Sequence, residues 1–163
     1  MKKLNSAYAN AMKEIANRGP FFELLSIEIT ELDFGYCKAE VVLAEKLDNP
    51  FGNPHGGVFA SLIDAATFWA TYSEIPENKG ITTIDLQMDN LGTTKVGKLI
   101  AEGKTIKIGR TICLAEASVY DEQGKILAHG KSKMLVLSSM QSIEDGMKSI
   151  GYEKELPAKF EQP

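Results

Sequence analysis

One apolar helix, residues 57–74, stands alone in the middle of the chain, and everything after it reads as strand upon strand. Its faces show Val58, Phe59, Leu62, Ile63, Ala66, Trp69 and Ala70, so it has to lie against a sheet rather than on a surface. The segment "ITTIDLQMDNL" (81–91) alternates, with Ile84, Leu86 and Met88 expected on one face and Thr83, Asp85, Gln87 and Asp89 on the other. "GKLIAEGKTIKIG" (97–109) follows, then "RTICLAEASVYDEQGKILAHGKSKMLVLS", two long strands folded at a hairpin turn over 121–125. Ahead of the helix, "IEITELDFGYCKAEVVLAE" predicts two strands, 26–33 and 35–44, with a tight turn at 33–35. Neighbouring strands joined by short turns make the sheet largely antiparallel. One long helix against one curved sheet is an α+β layer architecture.

The flanks are simpler. Leu4, Ala7, Tyr8, Ala11, Met12 and Ile15 recur at helical spacing and predict an amphipathic N-terminal helix. "GPFFELLS" breaks it and adds a short apolar element of a turn or two, in which Phe21 and Phe22 would either close a ligand pocket or pack on the sheet, the second being the expectation. From Ser138 onward the chain is polar, and a tail that folds over the surface or frays is expected.

Composition removes several function classes. The chain has 163 residues, 44% hydrophobic and 25% charged, the balance of an ordinary globular protein of one domain. Net charge is −4, which argues against general nucleic-acid binding. Charge is uneven, however: residues 95–133 hold eight cations and four anions, hence +4 there and −8 elsewhere. Solvated strand faces account for that excess, and so would a landing site for a small polyanion. Apolar runs are broken well short of the roughly 20 residues a membrane span needs. "MKKLNSAYANAMKEIANRG" lacks the apolar stretch of a secretory signal, so a cytoplasmic location with Cys37 and Cys113 reduced is expected. Two histidines without clustered cysteines make a metal site unexpected, and His129 reads as a surface residue. No G-x-S-x-G elbow is present for a serine esterase.

Chemistry concentrates in "NPFGNPHGGVFASLIDAATFWATYSE" (49–74). His55-Gly56-Gly57 opens the helix, where the first amides lack intrahelical acceptors and favour an anion or a developing oxyanion. Gly56 and Gly57 are equally explained by tight packing. Asp64 is the one acid in the interior of the helix (Glu74 closes it), with Ser61, Thr67 and Thr71 at i−3, i+3 and i+7. A carboxylate so placed is either capped by neighbouring hydroxyls or a desolvated general base or nucleophile.

Those residues resemble the motif of hotdog-fold acyl-CoA thioesterases of the phenylacetate-degradation (PaaI) type, roughly N-x-x-G-x-x-H-G-G-x-x-x-x-L-x-D. Asn49, Gly52, His55, Gly56, Gly57, Leu62 and Asp64 fall on it. The resemblance spans about residues 20–137, and it implies a hotdog fold: one domain over 1–163, with an N-terminal helix (1–19), a hotdog core (20–137) and a C-terminal tail (138–163). It also implies hydrolysis of acyl-CoA without cofactor or metal. Asp64 would be base or nucleophile, the Gly56 amide would polarise the thioester oxygen, and Asn49 would orient water or thioester. His55 would support the loop and Thr83 would help hold the water. Gly57, Ser61 and Phe68 would line the substrate site, and Lys95, Lys107 and Arg110 would meet the coenzyme A phosphates. Family sites lie between subunits, so an obligate homodimer, commonly a dimer of dimers, is implied. The stretch "DNLGTTKVG" lacks the aromatic, Arg and Pro that often continue the family's third strand, so the acyl preference does not carry over. Two other functions compete: a non-catalytic acyl-CoA-binding hotdog module, and an acyl-thioester dehydratase or hydratase.

Overall fold

In the computed structural model, residues 2–138 and 143–161 are described. The elements run α1 (Ser6–Asn17), α2 (Pro20–Leu25), β1 (Ile27–Asp33), β2 (Tyr36–Val42), a 3-10 turn (Glu45–Leu47), α3 (Gly56–Glu74), β3 (Gly80–Asn90), β4 (Lys98–Lys107), β5 (Ile112–Tyr120), β6 (Ile126–Leu137) and α4 (Ile143–Ser149). Six strands form one sheet in the order β1-β2-β4-β5-β6-β3, every pair antiparallel. Gly35 takes a left-handed φ of 71° at the β1–β2 turn, the conformation expected there.

The sheet curls around α3, which packs against all six strands. Leu62, Ile63 and Ala66 on the helix bury against Ala39, Leu99, Ala101, Ala117 and Val119 of the sheet. Small residues on the concave face let the helix approach closely. Thr67, fully buried, shares a 2.8 Å hydroxyl–hydroxyl hydrogen bond with Ser132 of β6. Thr67 therefore anchors the helix, and its hydroxyl does not cap the Asp64 carboxylate. Thr71 is also fully buried, and its hydroxyl has no hydrogen-bond partner among the described residues.

β3 departs from the expected alternation. Its pairing with β6 shifts register between Thr83 and Asp85, a bulge that sets two residues against one. Ile84 is thereby turned outward, 53% exposed, while Leu86 and Met88 pack on the core. Thr83 changes sides with the bulge and joins Leu86 and Met88 on the helix-facing surface, not the opposite one.

In α1, Tyr8, Ala9, Ala11, Met12, Ile15 and Ala16 are buried, whereas Ala7 is exposed and Leu4 packs before the helix begins. Cys37 and Cys113 are buried free thiols, as expected.

The C-terminal segment docks. α4 forms, Tyr152 is buried, and Phe160 bridges back to Leu4. Its anchor is unexpected for so polar a stretch: Lys159 is only 1% exposed. The Lys159 Nζ donates to the carbonyls of Tyr72 (2.6 Å) and Ile75 (2.7 Å), which lie at the end of α3 and have no helical partners. It also lies 4.6 Å from the centroid of the Tyr72 ring. Loss of water outweighs the nearby Glu77 carboxylate and lowers the Lys159 pKa to about 7. Between that value and the unfolded value of about 10.4, the unfolded chain binds one proton more, so this lysine makes stability rise with pH across the window. The unfolding free energy of wild type relative to Lys159→Met should thus increase from pH 7 to pH 10 in denaturant titrations. A difference independent of pH would show that the buried amine keeps its ordinary pKa.

Candidate active site

Asp64 projects from the third turn of α3, half-buried, and its Oδ1 accepts a 2.9 Å hydrogen bond from the Thr83 hydroxyl across the β3 bulge. Burial pushes the Asp64 pKa above the usual carboxylate range, and the Thr83 hydroxyl partly offsets that. A desolvated carboxylate held at one oxygen has its other oxygen available to take a proton.

The second group of residues is the loop that opens α3. The Asn49 side-chain oxygen accepts from the amides of Phe51 (2.9 Å) and Asn53 (3.3 Å), so its acceptor end is spent on building the turn. Gly52 follows with φ 70°, a conformation that favours glycine. His55 is the N-cap of α3: its Nδ1 accepts from the Gly57 amide at 2.9 Å, which places the ring proton on Nε2. The amide of Gly57 is therefore taken. That of Gly56 has no acceptor among the described residues, at the positive end of the helix. A Cβ at Gly56 would lie 3.4 Å from the Asn90 Nδ2, so the end of β3 brings a side-chain amide against this helix end. In the sequence Asn90 belongs only to the stretch that departs from the motif, and no signal in one sequence places it at this helix end.

Ser61 donates to the Gly57 carbonyl at 2.8 Å. Phe68, one turn beyond Asp64, stacks on Tyr72 with ring centroids 6.0 Å apart. Lys95, Lys107 and Arg110 are exposed. Lys95 precedes β4, Lys107 ends it and Arg110 follows it, so the length of β4 separates Lys95 from the other two by about 30 Å. They do not form one patch in a single chain. Lys98, Lys104 and Lys133 instead pair with Glu40, Glu116 and Asp85.

The two groups do not meet within one chain either. Gly56 and Asp64 are eight residues apart on one helix, about 12 Å along its axis, too far for a single carbonyl to touch both.

Residues 51–128 match the model of the Thioesterase superfamily. A proposed esterase of Archaeoglobus fulgidus is 31% identical over 111 residues, covering 68% of this chain and 70% of that protein. A 1,4-dihydroxy-2-naphthoyl-CoA hydrolase of Listeria monocytogenes is 25% identical over 114 residues, covering 70% and 93%. The crystal structure of a Haemophilus influenzae thioesterase superposes with a TM-score of 0.78 at 20% identity, over 86% of this chain and 98% of that one. Among the described residues, no helix is long and apolar enough to cross a membrane. Sequence match and architecture agree: the chain belongs to the Thioesterase superfamily and has the hotdog fold.

Proposed function

We propose that this protein hydrolyses acyl-CoA thioesters to the free acid and coenzyme A, as a homodimer of the PaaI type. The observation that carries the reading is the half-buried Asp64 carboxylate, raised in pKa and held by Thr83, inside a thioesterase-superfamily fold. A Listeria relative named as a hydrolase of an aryl-CoA thioester supports coenzyme A as the leaving group. The Asp64 carboxylate takes a proton from water, and the water oxygen adds to the thioester carbon. The negative charge moves to the carbonyl oxygen, where the Gly56 amide receives it. The C–S bond then breaks, and the proton held by Asp64 goes to the departing thiolate. Thr83, which donates to Asp64, keeps a lone pair with which to accept from the same water.

Because Gly56 and Asp64 of one chain are too far apart, the loop that completes each site comes from a second copy. β3 is an edge strand with Ile84 and Leu91 exposed, and it suits pairing with another β3. A panel of acyl-CoA esters, short, long and aromatic, assayed for free thiol tests the reaction, and sedimentation tests the dimer. No thiol release on any ester would leave the non-catalytic binding module as the better reading.

Thr83→Val should lower kcat about tenfold and move the acid limb of the pH–rate profile upward, since Asp64 would lose the hydrogen bond that favours its ionised form. An unshifted limb would mean that Thr83 does not tune Asp64.

A further inference from the structure

An apolar groove of about 580 Å³ begins one helical turn beyond Asp64 on α3, where Phe68 and Tyr72 stand at i+4 and i+8 from it. Its floor is Phe68, Trp69 and Tyr72, and its walls come from α1, α2 and α4, with Ile15, Phe22 and Ile150 among the lining side chains. Of the two places open to Phe21, the sheet and the rim of a pocket, it takes the second and stands at the groove 55% exposed. The groove is of the size of small-molecule pockets, roughly 300–1,000 Å³. Every wall segment lies outside residues 51–128, so this chain builds the groove from parts beyond the matched core.

We infer that this groove takes the apolar part of the acyl group and sets a preference for long or aromatic acyl chains over acetyl. The inference rests on Asp64 marking the position of the thioester carbon. From Asp64, Phe68 is one helical turn away and Tyr72 two, about 12 Å along the axis. An extended chain advances about 1.2 Å per bond, so the groove accommodates about ten carbons beyond the carbonyl. The three aromatic rings pack against one another, with Trp69 edge-on to Phe68 (5.5 Å) and to Tyr72 (5.4 Å). They present a rigid apolar wall that gains nothing from a short acyl group. Buried methylenes make kcat/KM rise about fourfold each until the groove is filled.

Two measurements separate this inference from the hydrolase reading. The first is kcat/KM for acetyl-, hexanoyl-, decanoyl- and phenylacetyl-CoA in wild type and Gly146→Phe. Gly146 lines the groove from α4, and an added Cβ there meets nothing within 4 Å, so the larger side chain can enter the groove without clashing at its base. The decanoyl-to-acetyl ratio should fall at least tenfold in the variant, mainly through KM. The second uses Trp69, the chain's single tryptophan, as a reporter. In Asp64→Asn protein, decanoyl-CoA should shift Trp69 emission to the blue while acetyl-CoA does not, and Gly146→Phe should abolish the shift. A Trp69 response without hydrolysis of any ester in wild type would uphold the groove and remove the hydrolase. Hydrolysis with a flat chain-length profile and no Trp69 response would do the reverse. A changed sedimentation coefficient for Gly146→Phe would identify the groove as a contact between copies and overturn the inference.

Discussion

Asp64→Asn should leave secondary structure and oligomeric state intact and lower thioester hydrolysis by at least about 10²-fold, the scale of a lost general base or nucleophile. The substitution keeps the size of the side chain, and an Asn oxygen can still accept from Thr83, so the scaffold around α3 need not move. The charge goes, and with it the proton acceptor. Stability should change in the opposite sense. The folded-state pKa of Asp64 is raised, so its contribution is full below the unfolded value of about 3.9 and is lost as pH rises through the folded value. At neutral pH the wild type therefore carries the cost of a desolvated charge that the Asn variant lacks. Thermal melts should place Asn at or above wild type at pH 7, with the gap closing in acid. The same raised pKa sets the acid limb of the wild-type pH–rate profile above the ordinary carboxylate range. Lost activity together with retained or increased stability marks a group held for chemistry rather than for the fold. Near-wild-type turnover in this variant would remove Asp64 from the mechanism.

Much of the fold was legible because it rests on local patterns. The long apolar helix, the turn at Gly35 and the hairpin over 121–125 lie where periodicity and turn residues put them. Two misreadings have a common physical origin. Alternation along 81–89 is a two-residue period, and a bulge inserts one extra residue that no propensity announces, so the period alone sets Thr83 on the wrong face. Helical spacing likewise sets Thr67 beside Asp64, but which side of a helix meets the sheet is decided by packing, and the Thr67 hydroxyl goes to Ser132 and to its own helix carbonyls rather than to the Asp64 carboxylate. Lys159 is a stronger case. A lysine in a polar tail reads as solvated, and only the unpaired carbonyls at the end of α3 explain its burial.

The candidate site divides in the same way. His55 as helix cap and Gly56 with a free amide follow from sequence chemistry, since both are properties of one helix end. The Asp64–Thr83 pair joins residues 19 apart and needed the tertiary structure to show its geometry. About 12 Å of rigid helix separates the two halves, so the pattern of one helix does not say how they combine.

Gly103→Ala should lower the melting temperature by several degrees, and Gly103→Val should compromise folding. Gly103 lies on β4 under the middle of α3, and a Cβ there would lie 2.5 Å from the backbone carbon and oxygen of Ala66. Those atoms belong to the helix backbone and cannot rotate away, so either the helix lifts or the strand sinks. Overpacking of this kind costs typically 1–3 kcal/mol, and each kcal/mol is about 2–4 °C in a protein of this size. The effect should reach the site as well. Lifting α3 off β4 changes its height over β3, and the 2.9 Å contact between Asp64 and Thr83 has little slack. Hydrolysis by Gly103→Ala should therefore fall even well below its melting temperature, with the acid limb shifted toward that of Thr83→Val. Gly146→Ala is the control: its Cβ would meet nothing within 4 Å and Ala favours a helix interior over Gly, so its melting temperature should stay at or above wild type. If Gly103→Ala melts with wild type, the helix does not rest on the sheet as closely as the Ala66 contact requires.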